Sequence, residues 1–291
     1  MSAPPGGLPE RARRVLTALG AIGVAAAGVG IAVTAPDVER TTATAAGPRI
    51  RMPQHRAPVR RQSRPDRRPV PVLMYHEVDR YHGGPIYSGL YVRPRTFIRQ
   101  LRWLARHRFR AVTLARVEAA WAGRARLPRR PLVISFDDGY RSVYEHAFPR
   151  LRRRHWPAVL NLAAGNLYWY GGLSPRRVRR LIRAGWELAS HTIHHMPVQG
   201  ASRRTLLVEV AGSRRLLRRM FHVPVRNFAY PEGRWDGRAA AAVRAAGYTA
   251  AAGIVPGLAR PDERFHLDRI RVDDSDGVRG LRRKLHAQGL P

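Results

Sequence analysis

With 291 residues, 44% of them hydrophobic and none of them cysteine, the chain has room for one domain of roughly 200 residues plus an appendage, and disulfides and thiolate chemistry are excluded. Any metal must therefore be held by histidines and carboxylates. The formal net charge of +33 comes almost wholly from arginine, Lys284 being the one lysine, and it favours polyanionic surroundings: acidic envelope polymers, anionic lipid or nucleic acid.

Arg11, Arg13 and Arg14 precede residues 15–35, an uncharged stretch of 21 residues. That length suffices for a helix to cross a bilayer, and the flanking arginines favour keeping residues 1–14 in the cytoplasm. We read an uncleaved transmembrane anchor. A cleaved signal peptide is the alternative, because residues 33–35 resemble a small-residue processing site, although Pro36 follows directly. A buried soluble helix is the plainer option. Residues 36–69 lack periodicity and are rich in Pro, Thr, Ala and Arg, which predicts a disordered linker. Its arginines either lie against an acidic surface or are merely solvated. The remainder, residues 70–291, would then be an exported domain.

From Pro69 strands and helices alternate. Strands are predicted at 70–76, 111–114, 132–136, 157–162, 186–190, 227–230, 248–252 and 267–272, and helices at 96–107, 143–155, 174–184, 202–221, 237–246 and 277–286. Such alternation argues for an α/β fold with parallel strands, closed or nearly closed into a barrel. Arginine clusters at 152–154, 176–180 and 214–219 read as solvated helix faces. No helix-turn-helix or aromatic interleaving accompanies them, so no specific nucleic-acid partner is expected.

The chemistry is concentrated at two strand ends. Leu132, Val133, Ile134 and Phe136 suit a strand buried on both faces, and the run leads into Asp137, Asp138 and Gly139. Carboxylates at the C-terminal edge of a covered sheet are reachable by a ligand; a turn and helix cap is the simpler alternative. After Glu187 come His191, His194 and His195. Histidines 191 and 195 can converge on one ion if the chain turns once between them, with His194 as a third candidate. A carboxylate from another strand end would complete the three-ligand set that a catalytic metal needs.

In this order and spacing, Ser135-Phe-Asp-Asp-Gly139, His191-Thr-x-x-His195 and Phe228-Ala-Tyr-Pro-Glu-Gly233 resemble the polysaccharide deacetylases of the NodB-homology type, carbohydrate esterase family 4. The resemblance covers about residues 70–273. Pro71-Val-Leu-Met-Tyr-His76 is similar to the opening strand of the poly-N-acetylglucosamine deacetylase branch. The resemblance implies a distorted (β/α) barrel that removes acetyl groups from an N-acetylated polysaccharide of an envelope or matrix. It implies Asp137 as general base, Asp138, His191 and His195 as ligands of a divalent metal, most often zinc, and the backbone N–H at Glu232 as an oxyanion donor. His76 would be the acid. Tyr230 and Trp235 are candidate sugar-stacking residues.

Two departures from the family pattern stand out. Ala229 takes the place of an arginine that tunes the base, with Arg226 or Arg269 as possible substitutes, and the late Leu-x-His motif is absent, which favours His76 as acid. The competing readings are an O-acetyl esterase acting on a glycan and a catalytically inactive glycan-binding protein.

Overall fold

The structure, a computed structural model, describes residues 64–83 and 85–291. The expected transmembrane segment and most of the expected linker lie outside these residues. Among the described residues no helix is long and apolar enough to cross a membrane.

The strands are β1 (Val72–Tyr75), β2 (Arg110–Ala111), β3 (Pro131–Phe136), β4 (Val159–Leu162), β5 (Glu187–Ser190), β6 (Asn227–Ala229), β7 (Ala250–Ala252) and β8 (Ile270–Arg271). They form one parallel sheet in the order β7-β6-β5-β4-β3-β1-β8, and β2 pairs with the start of β3. The helices are α1 (Pro94–Arg106), α2 (Leu114–Trp121), α3 (Phe148–Arg152), α4 (Pro175–Arg183), α5 (Arg203–Leu206), α6 (Ser213–Phe221), α7 (Gly237–Ala245) and α8 (Gly277–His286).

Side-chain size sorts the two faces of the sheet. Leu73, Tyr75, Ile134, Phe136, Leu160, Leu162 and Phe228 belong to the larger core, which they share with residues of α1, α4 and α6. Val72, Val133, Val159, Ala189, Ala250 and Ala252 alternate with them and form a second, smaller core. Valine and alanine let the curled sheet bring its inner face together. Val117 and Trp121 of α2 complete that inner cluster, and the Ala115 N–H donates to the Glu187 carboxylate at the start of β5 (2.9 Å).

The seam between β7 and β8 is bridged by one extended segment. Leu267 pairs with Ala252, and three residues later Ile270 and Arg271 pair with Leu73 and Met74 of β1. The expected distorted barrel is therefore present.

Several boundaries differ from expectation. The predicted strand at 111–114 is confined to Arg110–Ala111, and Leu114 instead opens a helix capped by Thr113, whose hydroxyl accepts the Arg116 N–H. The predicted helices at 143–155 and 202–221 are interrupted by wide turns at Val143–Ala147 and Leu207–Gly212. The strand expected at 267–272 pairs as a strand over only two residues.

Candidate active site

The parallel order brings the segments after β1, β3, β5 and β6 to one rim, and the long side chain of Arg269, just before β8, reaches Asp137 there. Asp137 leaves β3 buried, 1% exposed, and its Oδ1 accepts hydrogen bonds from Asn161 Nδ2 of β4 (2.7 Å) and Arg269 Nη1 (2.9 Å). Arg269 is equally buried, and its Nε donates to the Gly253 carbonyl (2.6 Å). Burial alone would raise the Asp137 pKa; the Arg269 guanidinium, with His191 and His76 close by, outweighs it and holds the group at about 2. Of the two arginines considered in place of one at Ala229, Arg269 is the one that pairs with Asp137, while Arg226 is exposed.

Asp138 and Gly139 then turn the chain with φ of 69° and 91°. Only glycine fits the second position, since a Cβ there would lie 2.3 Å from Leu162 Cδ1. The turn aims Asp138 at the histidines after β5. Its Oδ1 is 3.4 Å from His191 Nε2 and 3.1 Å from His195 Nε2, and the ligand atoms of the three residues all lie within 4.8 Å of one another.

Three observations fit a divalent cation here. Asp138 Oδ1 is buried without a hydrogen-bond partner. His191 Nδ1 contacts the Ala229 carbonyl at 2.8 Å, so this nitrogen carries the proton and Nε2 turns its lone pair inward. The donor set of one carboxylate and two imidazoles also suits a borderline-soft metal with open positions. Burial would raise Asp138, but the imidazoles of His191 and His195 beside it hold it well below its ordinary value. Burial would lower His195, and Asp138 reverses that.

His194, the third histidine considered, does not join this group. Its Nδ1 pairs with Glu209 Oε1, and Glu209 Oε2 accepts the backbone N–H groups of Ile193 and His194 (2.9 Å each). Glu209 is 2% exposed and projects from the wide turn Leu207–Gly212. Its carboxylate fixes a loop in which Thr192 and His195 both adopt positive φ (69° and 56°), a conformation that costs energy outside glycine. Sequence reasoning missed Glu209 because a single Glu on an amphipathic helix looks like a solvated face; the wide turn that aims it inward has no residue signature.

His76 follows β1 at the same rim, and its Nδ1 is buried without a partner. Burial lowers its pKa, opposed by Asp137 and Asp138. Glu232 has φ of 54° in the turn Pro231–Gly233, with its side chain out toward Arg234 (3.4 Å) and its N–H in the first turn, where no intrahelical acceptor exists. Tyr230 is a correction: it is fully buried, and its hydroxyl donates to the Phe265 carbonyl (2.9 Å), so it presents no ring face to a sugar. Trp235 is half-buried and stacks on His266, with centroids 5.1 Å apart and planes 3° apart.

In sequence and in fold the chain is similar to known deacetylases. The family model for polysaccharide deacetylase matches residues 124–251. YxkH of Bacillus subtilis (strain 168), whose name assigns it to the polysaccharide deacetylases, is 26% identical over 212 residues, covering 72% of this chain and 73% of that protein. A poly-beta-1,6-N-acetyl-D-glucosamine N-deacetylase of Staphylococcus aureus (strain MSSA476) is 23% identical over 193 residues, covering 61% of this chain and 66% of that protein. Among solved structures, the Streptococcus pyogenes deacetylase PplD in complex with acetate superposes with a TM-score of 0.68 at 21% identity, over 75% of this chain and 99% of that one, a likeness of fold.

Proposed function

Since the chain belongs to the polysaccharide deacetylases of the NodB-homology type, hydrolases of non-peptide carbon–nitrogen bonds, we propose that it removes N-acetyl groups from an N-acetylglucosamine-containing polysaccharide. The observation that carries this is the division of labour between two adjacent carboxylates. Asp138 faces two histidines with an orphaned oxygen, while Asp137 is held apart by Arg269 and Asn161.

A divalent metal, zinc by its donor set, would be held by Asp138, His191 and His195, where it supplies Lewis acidity toward the acetamide carbonyl and acidifies water. Asp137 accepts the proton of the attacking water. With a pKa of about 2 it is fully ionised at neutral pH and free to accept that proton. The Glu232 N–H meets the negative charge that develops on the carbonyl oxygen as the tetrahedral centre forms. His76 delivers a proton to the departing amine. The depressed pKa of its imidazolium makes it a ready donor once charged. The substrate assignment draws support from the Staphylococcus aureus relative, and the uncharged residues 15–35 support a membrane-anchored enzyme with its barrel outside the cytoplasm.

The test is acetate release by the full chain from β-1,6- and β-1,4-linked N-acetylglucosamine oligomers, after chelation and again after zinc is restored. Release that needs metal and is lost in Asp137→Asn is expected. Release from acetyl esters but not acetamides would replace this reading with the esterase.

A further inference from the structure

The loop after β4, residues 163–173, takes no part in the chemistry above, yet it is fastened to both segments that carry it. The N–H groups of Ala164 and Gly165 donate to the Thr192 and Ile193 carbonyls (3.1 and 2.8 Å), between the two metal-facing histidines. On its other side, Asn166 Nδ2 donates to the Asp138 carbonyl (3.0 Å) and the Leu173 N–H to the Gly139 carbonyl (2.8 Å). The Arg141 N–H donates to the Gly171 carbonyl (2.8 Å), and Tyr140 bridges to Gly172. The seat is tight: a Cβ on Gly165 would come 2.9 Å from the Ile193 oxygen, and one on Gly172 would come 1.7 Å from the Asn166 oxygen.

This tethered loop displays three consecutive aromatic side chains. Tyr168, Trp169 and Tyr170 are 37%, 55% and 87% exposed, a concentration of uncovered ring surface that burial alone would have removed. Trp169 rests on the Gly171 backbone, where an added Cβ would stand 2.8 Å from the ring, and meets Tyr140 edge-on at 6.0 Å. The Arg141 guanidinium lies 5.3 Å from the Tyr170 ring centroid. The rings are thus supported by protein yet largely open to solvent. Such a surface suits a pyranose ring, whose C–H face is apolar while its hydroxyls remain hydrated.

We infer that residues 168–170 form a sugar-stacking subsite, one that grips a ring of the glycan next to the ring whose acetamide is cleaved. The inference rests on the deacetylase reading and adds to it the means by which a polymer is recognised. A lipid surface would ask only for exposed rings. A glycan that must be registered against Asp138 asks for rings bolted to the Asp138 segment, and the hydrogen bonds above supply that.

The test uses the full chain carrying Asp137→Asn to halt turnover, titrated with N-acetylglucosamine oligomers of increasing length by calorimetry. Affinity is expected to rise with length, and Trp169→Ala and Tyr170→Ala each to weaken the longer oligomers several-fold to about tenfold, flattening the dependence on length. Trp169→Phe should recover part of the loss. Tyr170→Ala removes a side chain that is 87% exposed, so the fold survives it.

Unchanged affinity in both alanine variants overturns the subsite, as does a loss confined to anionic vesicles with glycan binding intact. Acetate release by the wild-type chain is measured alongside. Release with indifferent variants sinks the subsite alone. Ring-dependent glycan binding without any release sinks the hydrolytic reading and keeps the subsite.

Discussion

At the C-terminal ends of the strands, Asp137 and Asp138 are buried among an arginine and three histidines and stay ionised, Asp137 at about 2. At the opposite end Glu187, at the start of β5, is buried among neutral groups, the Ala115 N–H and the Asn227 amide, beside Glu118 of α2. Among the described residues neither glutamate has an ion-pair partner. Burial, with Glu118 nearby, pushes Glu187 up to about 7, and burial raises Glu118 as well. One barrel thus holds two carboxylate pairs of opposite character. Burial is common to both; the partner set decides whether the charge survives. Carboxylates kept charged at the cost of buried cations mark the reactive rim, whereas carboxylates allowed to neutralise belong to the scaffold.

The strongest way to break this contrast is to remove the charged group itself. Asp137→Asn should lower kcat about 10²- to 10⁴-fold while metal content, read by atomic absorption, is retained. Arg269→Met makes Asp137 resemble Glu187. Leaving a buried charge unpaired should cost about 3–5 kcal/mol in denaturant unfolding. With Asp137 raised, the acid limb of kcat/KM should move to higher pH, because the base must now lose its proton at a pH where the wild type was already ionised. Retention of the wild-type acid limb would show that Asp137 is not the titrating base.

Glu209→Ala is milder, since it spares every proposed ligand. Freed of its clamp, the 191–195 loop should bind zinc about 10- to 100-fold more weakly, with Glu209→Gln recovering part of the affinity. The smallest effect belongs to the scaffold end. Glu187 holds its proton up to about 7 when folded but only to its ordinary 4.5 in the unfolded chain, so its contribution is complete below that value and is lost as pH rises toward 7. Glu187→Gln should abolish a fall in stability on the order of 2 kcal/mol across that window, whatever constant cost it adds.

The sequence made the rim legible where chemistry needs adjacent residues. The Asp137-Asp138-Gly139 run, the histidine pair and the α/β alternation all lie within short windows, and α8 begins and ends where its periodicity predicts. What escaped depends on three-dimensional register. Arg226 and Arg269 were equal candidates from sequence, and only the pairing of the segment before β8 singles out Arg269. Helix α2 was hidden because Ala111, Val112 and Leu114 read as a strand, although Thr113 is a good cap. Tyr230 reads as a ligand-facing aromatic until Phe265 is brought to its hydroxyl. The aromatics at 168–170 fall between a predicted strand and a predicted helix, and nothing in their spacing reveals that they are uncovered.

The seam also has a consequence for how the molecule comes into being. Asp137 is completed by a residue 132 positions later in the chain, carried on the segment that closes the barrel. As a ribosome delivers the chain, Asp138, His191 and His195 are all synthesised before that arginine exists, so the three candidate ligands are present before Asp137 has its cation. Hydrolytic power then arrives last, with closure of the final strand. An assay of activity during synthesis would therefore report the end of folding rather than its beginning.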